Sequence, residues 1–118
     1  MGEEKKKSKN TISVNPAVVK QYAAAEATEC FGIVGLGAMS AKDGFAKLLN
    51  HESLSRGVDV SFKDGQVTID FHIIVAYGVN IKTVANNLTE SVVYRIENFV
   101  GLKVKCVNIF VEGVRVVD

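Results

Sequence analysis

His51 and His72, Cys30 and Cys106, the carboxylates Asp59 and Asp70, and the glycines at 32, 35 and 37 are the residues of this chain whose types could do chemistry. A histidine beside two carboxylates can move a proton or hold a metal ion, and Asp59, Asp70 and His72 fall on one parity of two alternating runs. No nucleophile nearby in sequence completes an enzyme with them, so the favoured reading is a polar sheet face or a protein contact. Neither histidine forms a zinc-type pair with Cys30 or Cys106 at a recognised spacing. Cys30 closes a helix at its C-terminal end, where the helix dipole disfavours a thiolate, and it reads as a small packed residue.

Gly32, Gly35 and Gly37 invite a phosphate-loop reading. The dinucleotide fingerprint needs glycines that follow a strand and open a helix, whereas these follow a helix, and Ser40 stands where the third glycine belongs. The chain has no Gly-Lys-Ser or Gly-Lys-Thr triplet either. Gly32-Ile33-Val34-Gly35 also fits the bare GXXG spacing of K-homology RNA-binding domains, but that loop clamps phosphates and is polar or basic between its glycines. A buried strand with a bulge is the preferred reading of residues 33–39.

The elements that must position these residues are clearest around Asp64-Gly65, the dipeptide of a two-residue type I′ hairpin. Counting outward pairs Lys63 with Gln66, Phe62 with Val67, Val60 with Ile69 and Val58 with Phe71, which puts every apolar side chain on one face. The other face carries Asp59, Ser61, Lys63, Gln66, Thr68, Asp70 and His72, with Asp59 and Asp70 opposed. Past His72 the run Ile73-Ile74-Val75-Ala76 is apolar on both faces, so that end of the strand is expected to be covered on both sides.

Around the hairpin, residues 11–14 read as a short strand, and Asn15-Pro16 caps a helix running to about Cys30. Small residues dominate its inner face. Residues 43–50 form a weak short helix with Phe45, Leu48 and Leu49 on its apolar side, and residues 51–57 a loop. Tyr77-Gly78 ends the hairpin strand, and Asn80 caps a second long helix on which Ile81, Val84, Leu88, Val92, Ile96 and Phe99 recur at helical spacing. Gly101 stops it. The final strand, Leu102 to Val111, is expected to be central or bulged midway. The order predicts an α+β fold, a two-layer sandwich whose mixed or antiparallel sheet of four to five strands carries two long helices on one face.

At 118 residues, 47% of them hydrophobic, the chain is expected to be one domain over residues 11–118 behind a disordered basic leader over residues 1–10. The net charge of +1 hides an asymmetry, since Lys5, Lys6, Lys7 and Lys9 against Glu3 and Glu4 make the leader positive. A near-neutral domain lacks the electrostatic footprint of a nucleic-acid binder. Two cysteines without a framework are expected to be reduced and at least partly buried. With no apolar run long enough to span a bilayer, no signal-peptide pattern, and Lys6 where a myristoylation motif wants serine or threonine, the expectation is a cytoplasmic protein.

Five stretches carry a family resemblance: CFGIVGL (30–36), KDGFAKLL (42–49), SRGVDV (55–60), IIVAYGVNI (73–81) and VGLKVKCVNIFVEGVRV (100–116). In their order and spacing the chain resembles the alkaline shock protein 23 family, the Gram-positive cell-envelope stress response proteins, over nearly everything from Ile12 to Val116. It is similar to the short, single-domain branch without the long polar C-terminal extension, so assembly that depends on the extension is not expected. The resemblance implies a cytoplasmic, non-enzymatic protein acting by protein–protein contact, without cofactors, in some members gathered at the inner membrane face by a membrane-anchored partner. Members of the short branch are typically encoded beside a fatty-acid kinase of the dihydroxyacetone-kinase-like type.

The resulting expectation is an adaptor or scaffold domain that self-associates and is linked to envelope homeostasis. Its candidate partner surface is Arg56, Asp59, Ser61, Thr68, Asp70, His72, Tyr77 and Arg115, where arginine and tyrosine are favoured contact residues. No catalytic, cofactor or metal residue is assigned. The alternatives are a K-homology-like RNA-binding domain and a small enzyme using Asp70 and His72.

Overall fold

The computed structural model describes residues 13–37 and 57–117. The basic leader, the short helix expected over residues 43–50, the loop over residues 51–56 and Arg56 lie outside the described residues. Of the strand expected over residues 11–14, Ser13 and Val14 are described and form none.

Helix α1 spans Pro16–Glu29, with the Asn15 Oδ1 accepting from the Ala17 amide at 2.8 Å and proline at its first position. Strand β1 is Ile33–Leu36, and its pairing shifts between Ile33 and Gly35, the bulge expected there. Strands β2, Val58–Lys63, and β3, Gln66–Ala76, form the hairpin around Asp64 and Gly65, whose φ values of 54° and 76° are those of a type I′ turn. Every pairing of the hairpin falls as counted from the turn, from Lys63 with Gln66 to Val58 with Phe71. Helix α2 is Ile81–Arg95, capped by the Asn80 Oδ1 accepting from the Thr83 amide at 3.0 Å. A single π turn, Ile96–Val100, continues it to Gly101, which sits at φ 87°. Strand β4 is Lys103–Arg115.

Among the described residues the sheet is mixed and has four strands, with β3 at its centre. β4 runs parallel to β3 along its whole length, an arrangement that needs a crossover, here supplied by α2. The opposite edge of β3 is shared: β1 pairs antiparallel with its last residues and β2 with its first. They meet at His72, whose carbonyl accepts from the Gly37 amide at 2.8 Å and whose amide donates to the Gly57 carbonyl at 2.7 Å. A Cβ on Gly57 would lie 2.2 Å from the Gly37 nitrogen and 2.7 Å from the His72 carbonyl oxygen, so two strands can share this edge only because Gly57 has no side chain.

Both helices and one face of the sheet contribute to a single core. Val67, Ile69, Phe71, Ile73 and Val75 of β3 are 1% exposed or less and cluster with Val19, Ala23 and Ala27 of α1 and Val84, Leu88 and Val92 of α2. The alanines let α1 approach closely. Burying each large side chain stabilises the fold by about 1.5–3 kcal/mol relative to leaving it in water. Ile74, on the other face of β3, is also 4% exposed, so that end of the strand is covered on both sides as its sequence predicts.

Of the two arrangements expected for the last strand, the bulged one holds: among the described residues β4 lies at the edge of the sheet, and its register shifts twice, between Val67/Thr68 and between Ile73/Ile74 of its neighbour. Three expectations are corrected. The first shift flips parity, so Val104 joins Val107 and Ile109 beside the core, while Cys106 turns outward and is exposed rather than partly buried. Phe99, on the apolar face in an ideal helix, is 59% exposed because it follows the start of the wider π turn. Phe62 points to the core side but is 41% exposed, since it lies at the tip of the hairpin.

Candidate functional site

The alternation that buries Val67, Ile69 and Phe71 turns Thr68, Asp70 and His72 to the opposite face of β3, and Asp59 and Ser61 of β2 join them in register. β4 completes this outer face. Its pairing sets Cys106 beside Thr68, Asn108 beside Asp70 and Phe110 beside His72.

The face carries two sets of polar side chains that bond across β3 and β4. His72 Nδ1 lies 2.6 Å from Glu112 Oε2, a contact in which the ring N–H donates to the carboxylate. The other ring nitrogen, Nε2, faces Asp59 Oδ2 at 3.7 Å, too far for a hydrogen bond. The Phe110 ring stacks on the imidazole with centroids 4.9 Å apart and planes 15° from parallel. Asn108 Nδ2 donates to Asp70 Oδ1 at 2.8 Å. Asp59 and Asp70 stand opposite each other, a like-charge pair that costs a few tenths of a kcal/mol or more. The Asn108 amide on Asp70 offsets part of that repulsion.

These groups hold one another and leave Phe110 47% exposed. An exposed aromatic ring rimmed by Asp59, Asp70 and Glu112 is suited to a partner that offers an apolar side chain and basic groups. Among the described residues, no group of His, Cys, Asp and Glu could hold a metal ion. Cys106 Sγ donates to Asn108 Oδ1 at 3.4 Å. Cys30 is half-buried under α2, its Sγ 3.9 Å from the Val84 carbonyl, and burial followed by the nearby Glu26 carboxylate raises its thiol pKa.

Of the residues singled out from sequence, Asp59, Ser61, Thr68, Asp70 and His72 share the outer face. Tyr77 and Arg115 lie together elsewhere, at the end of β3 and β4, where the Tyr77 amide donates to the Arg115 carbonyl at 2.8 Å and the Tyr77 ring is 74% exposed. Asn108, Phe110 and Glu112 were not among them. Their signal was the alternation of β4, but a bulge at Lys105 hides its parity. Gly32 ends the helix-to-strand turn and Ile33 to Gly35 already belong to β1, with Ile33 only 7% exposed, unlike a phosphate-clamping loop between helices.

The family model for the alkaline shock protein 23 family, described as having a cell envelope-related function, matches residues 4–116. The chain is 41% identical over 108 residues to the uncharacterized protein YloU of Bacillus subtilis, covering 91% of this chain and 90% of the relative. It is 36% identical over 107 residues to the uncharacterized protein Spy1614 of Streptococcus pyogenes, covering 90% and 88%. A second Bacillus subtilis protein, uncharacterized protein YqhY, is 29% identical over 107 residues, covering 88% and 76%. No solved structure matches the chain significantly. No helix among the described residues is long and apolar enough to cross a membrane.

Proposed function

This chain belongs to the alkaline shock protein 23 family, whose function is cell envelope-related, and from that premise we propose that it works as a non-enzymatic adaptor that binds another protein through the outer face of its sheet. The observation that carries this reading is the exposed Phe110 ring, stacked on His72 and surrounded by Asp59, Asp70 and Glu112. Side chains that already satisfy one another present a fixed surface, and little ordering entropy is lost when a partner docks. The carboxylates select a basic partner segment and steer its approach, so binding weakens as salt rises.

A membrane-anchored protein or a fatty-acid kinase of the dihydroxyacetone-kinase-like type is the partner class the family suggests. The test is co-purification from the native cell at low and high salt with the full chain and with a Phe110→Ser, Asp59→Lys variant. The reading predicts a partner enriched by the parent chain, lost by at least tenfold in the variant and reduced by salt, with the variant's melting temperature within a few degrees. Equal recovery by both chains contradicts it.

A further inference from the structure

β4 is the longest strand of the molecule and bonds along one side only: among the described residues, no strand pairs with its outer edge. Such an edge offers unpaired main-chain groups to another chain, and proteins guard against this with charge, bulges and side-chain caps. Both ends of β4 are guarded in that way. At the start, Glu97 Oε2 accepts from the Val104 amide at 3.0 Å, Lys103 and Lys105 are exposed, and the register shifts. Near the finish, the second register shift falls at Glu112 and Gly113.

Between the guards lies Cys-Val-Asn-Ile-Phe-Val, residues 106–111, with no charge, proline or glycine. β-branched and aromatic residues dominate it. Its core-side row is incompletely covered, for Val107 and Ile109 are only partly buried against the core and Val111 is 38% exposed.

We propose that this open stretch is the seat of a symmetric dimer, in which a second copy of the chain adds its own β4 antiparallel and centred on Ile109. That register places Ile109 opposite Ile109 and Val107 opposite Val111, twice, so the half-covered apolar row becomes continuous across the junction. It keeps both helix layers on one side of the extended sheet, whereas a slip of one residue sets apolar side chains against polar ones. It also sets Lys105 of each strand opposite Gly113 of the other, one position from Glu112, so opposite charges adjoin at both ends of the junction, repeated by the two-fold axis. Parallel addition instead sets lysine against lysine at one end. The dimer leaves Asp59, Ser61, Thr68 and Asp70 accessible and sets Phe110 at the seam, opposite Asn108 of the second copy; its test reads oligomeric state rather than partner capture, so its failure is distinguishable from failure of the adaptor reading.

The test is light scattering on the full chain over a concentration series, with Val111→Lys and, as a control on an exposed apolar residue elsewhere, Phe99→Ser. The parent chain and Phe99→Ser form a dimer that dissociates on dilution, and Val111→Lys raises the dissociation constant at least tenfold. If Val111→Lys does not fold, amide hydrogen exchange of the parent chain decides: amides within residues 106–111 exchange at least tenfold more slowly when concentrated than when dilute. A monomer at every concentration, an unchanged dimer in the folded Val111→Lys protein, or protection of these amides that is independent of concentration overturns the proposal. The last result assigns the edge to a segment of the same chain.

Discussion

On the helix-facing side of β3, Val67, Ile69, Phe71, Ile73 and Val75 are all 1% exposed or less, whereas on the other side Asp70 and His72 are half-buried and bond or stack against side chains of β4. One strand with a period of two therefore supports two kinds of surface. The inner side chains are interchangeable in chemistry but constrained in shape, because their contribution is packing. The outer ones are constrained in chemistry and loosely constrained in shape. The contrast teaches where to look for function among the described residues: on the sheet face that is polar and half-exposed rather than packed.

Substitutions can break this contrast. Phe71→Ala, on the inner face, is expected to cost about 3–5 kcal/mol in chemical denaturation, the range for emptying a large buried aromatic. A loss below 1 kcal/mol there would mean that the core is not where the fold places it. At the boundary, Gly57→Ala forces a Cβ into the Gly37 backbone and is expected to cost about 1–3 kcal/mol. The measurement is again a denaturation midpoint, and a neutral result would show that β1 and β2 do not share the edge of β3. Asn80→Ala removes the cap of α2 and should cost about 1 kcal/mol, read from the melting temperature.

The outer face is expected to behave oppositely. Asp59→Ala shifts stability by about 0.5 kcal/mol or less, since it removes one member of an opposed carboxylate pair at an exposed site. A finer probe uses the two thiols, which sit on opposite sides of the sheet. Near neutral pH a thiol reagent should modify exposed Cys106 well before Cys30, whose raised pKa and partial burial suppress the thiolate. Mass spectrometry of a labelling time course checks the order, and raising the pH should narrow the difference.

Local rules made much of this legible from sequence. Asp64-Gly65 set the register of the hairpin pair by pair, Asn15-Pro16 and Asn80 marked the helix starts, and Gly101 marked the stop. What escaped was non-local. Nothing near β4 in the chain tells that it pairs parallel with β3 from the outside, and the extra residue at Lys105 disguises which of its side chains face the core. The π turn has the same effect at Phe99, where an ideal helical period points inward and the wider turn points out. The outer face was therefore half visible: Asp59, Asp70 and His72 followed from alternation, while Asn108, Phe110 and Glu112 needed the third strand.

The most direct test of that face is a photo-cross-linking residue placed in living cells at Ser61, on the outer face, and at Asn86, on the exposed side of α2. The adaptor reading predicts a discrete adduct from Ser61 that disappears when Phe110→Ser is added, and none from Asn86. An adduct from Asn86 alone, or one from Ser61 that survives Phe110→Ser unchanged, would contradict it.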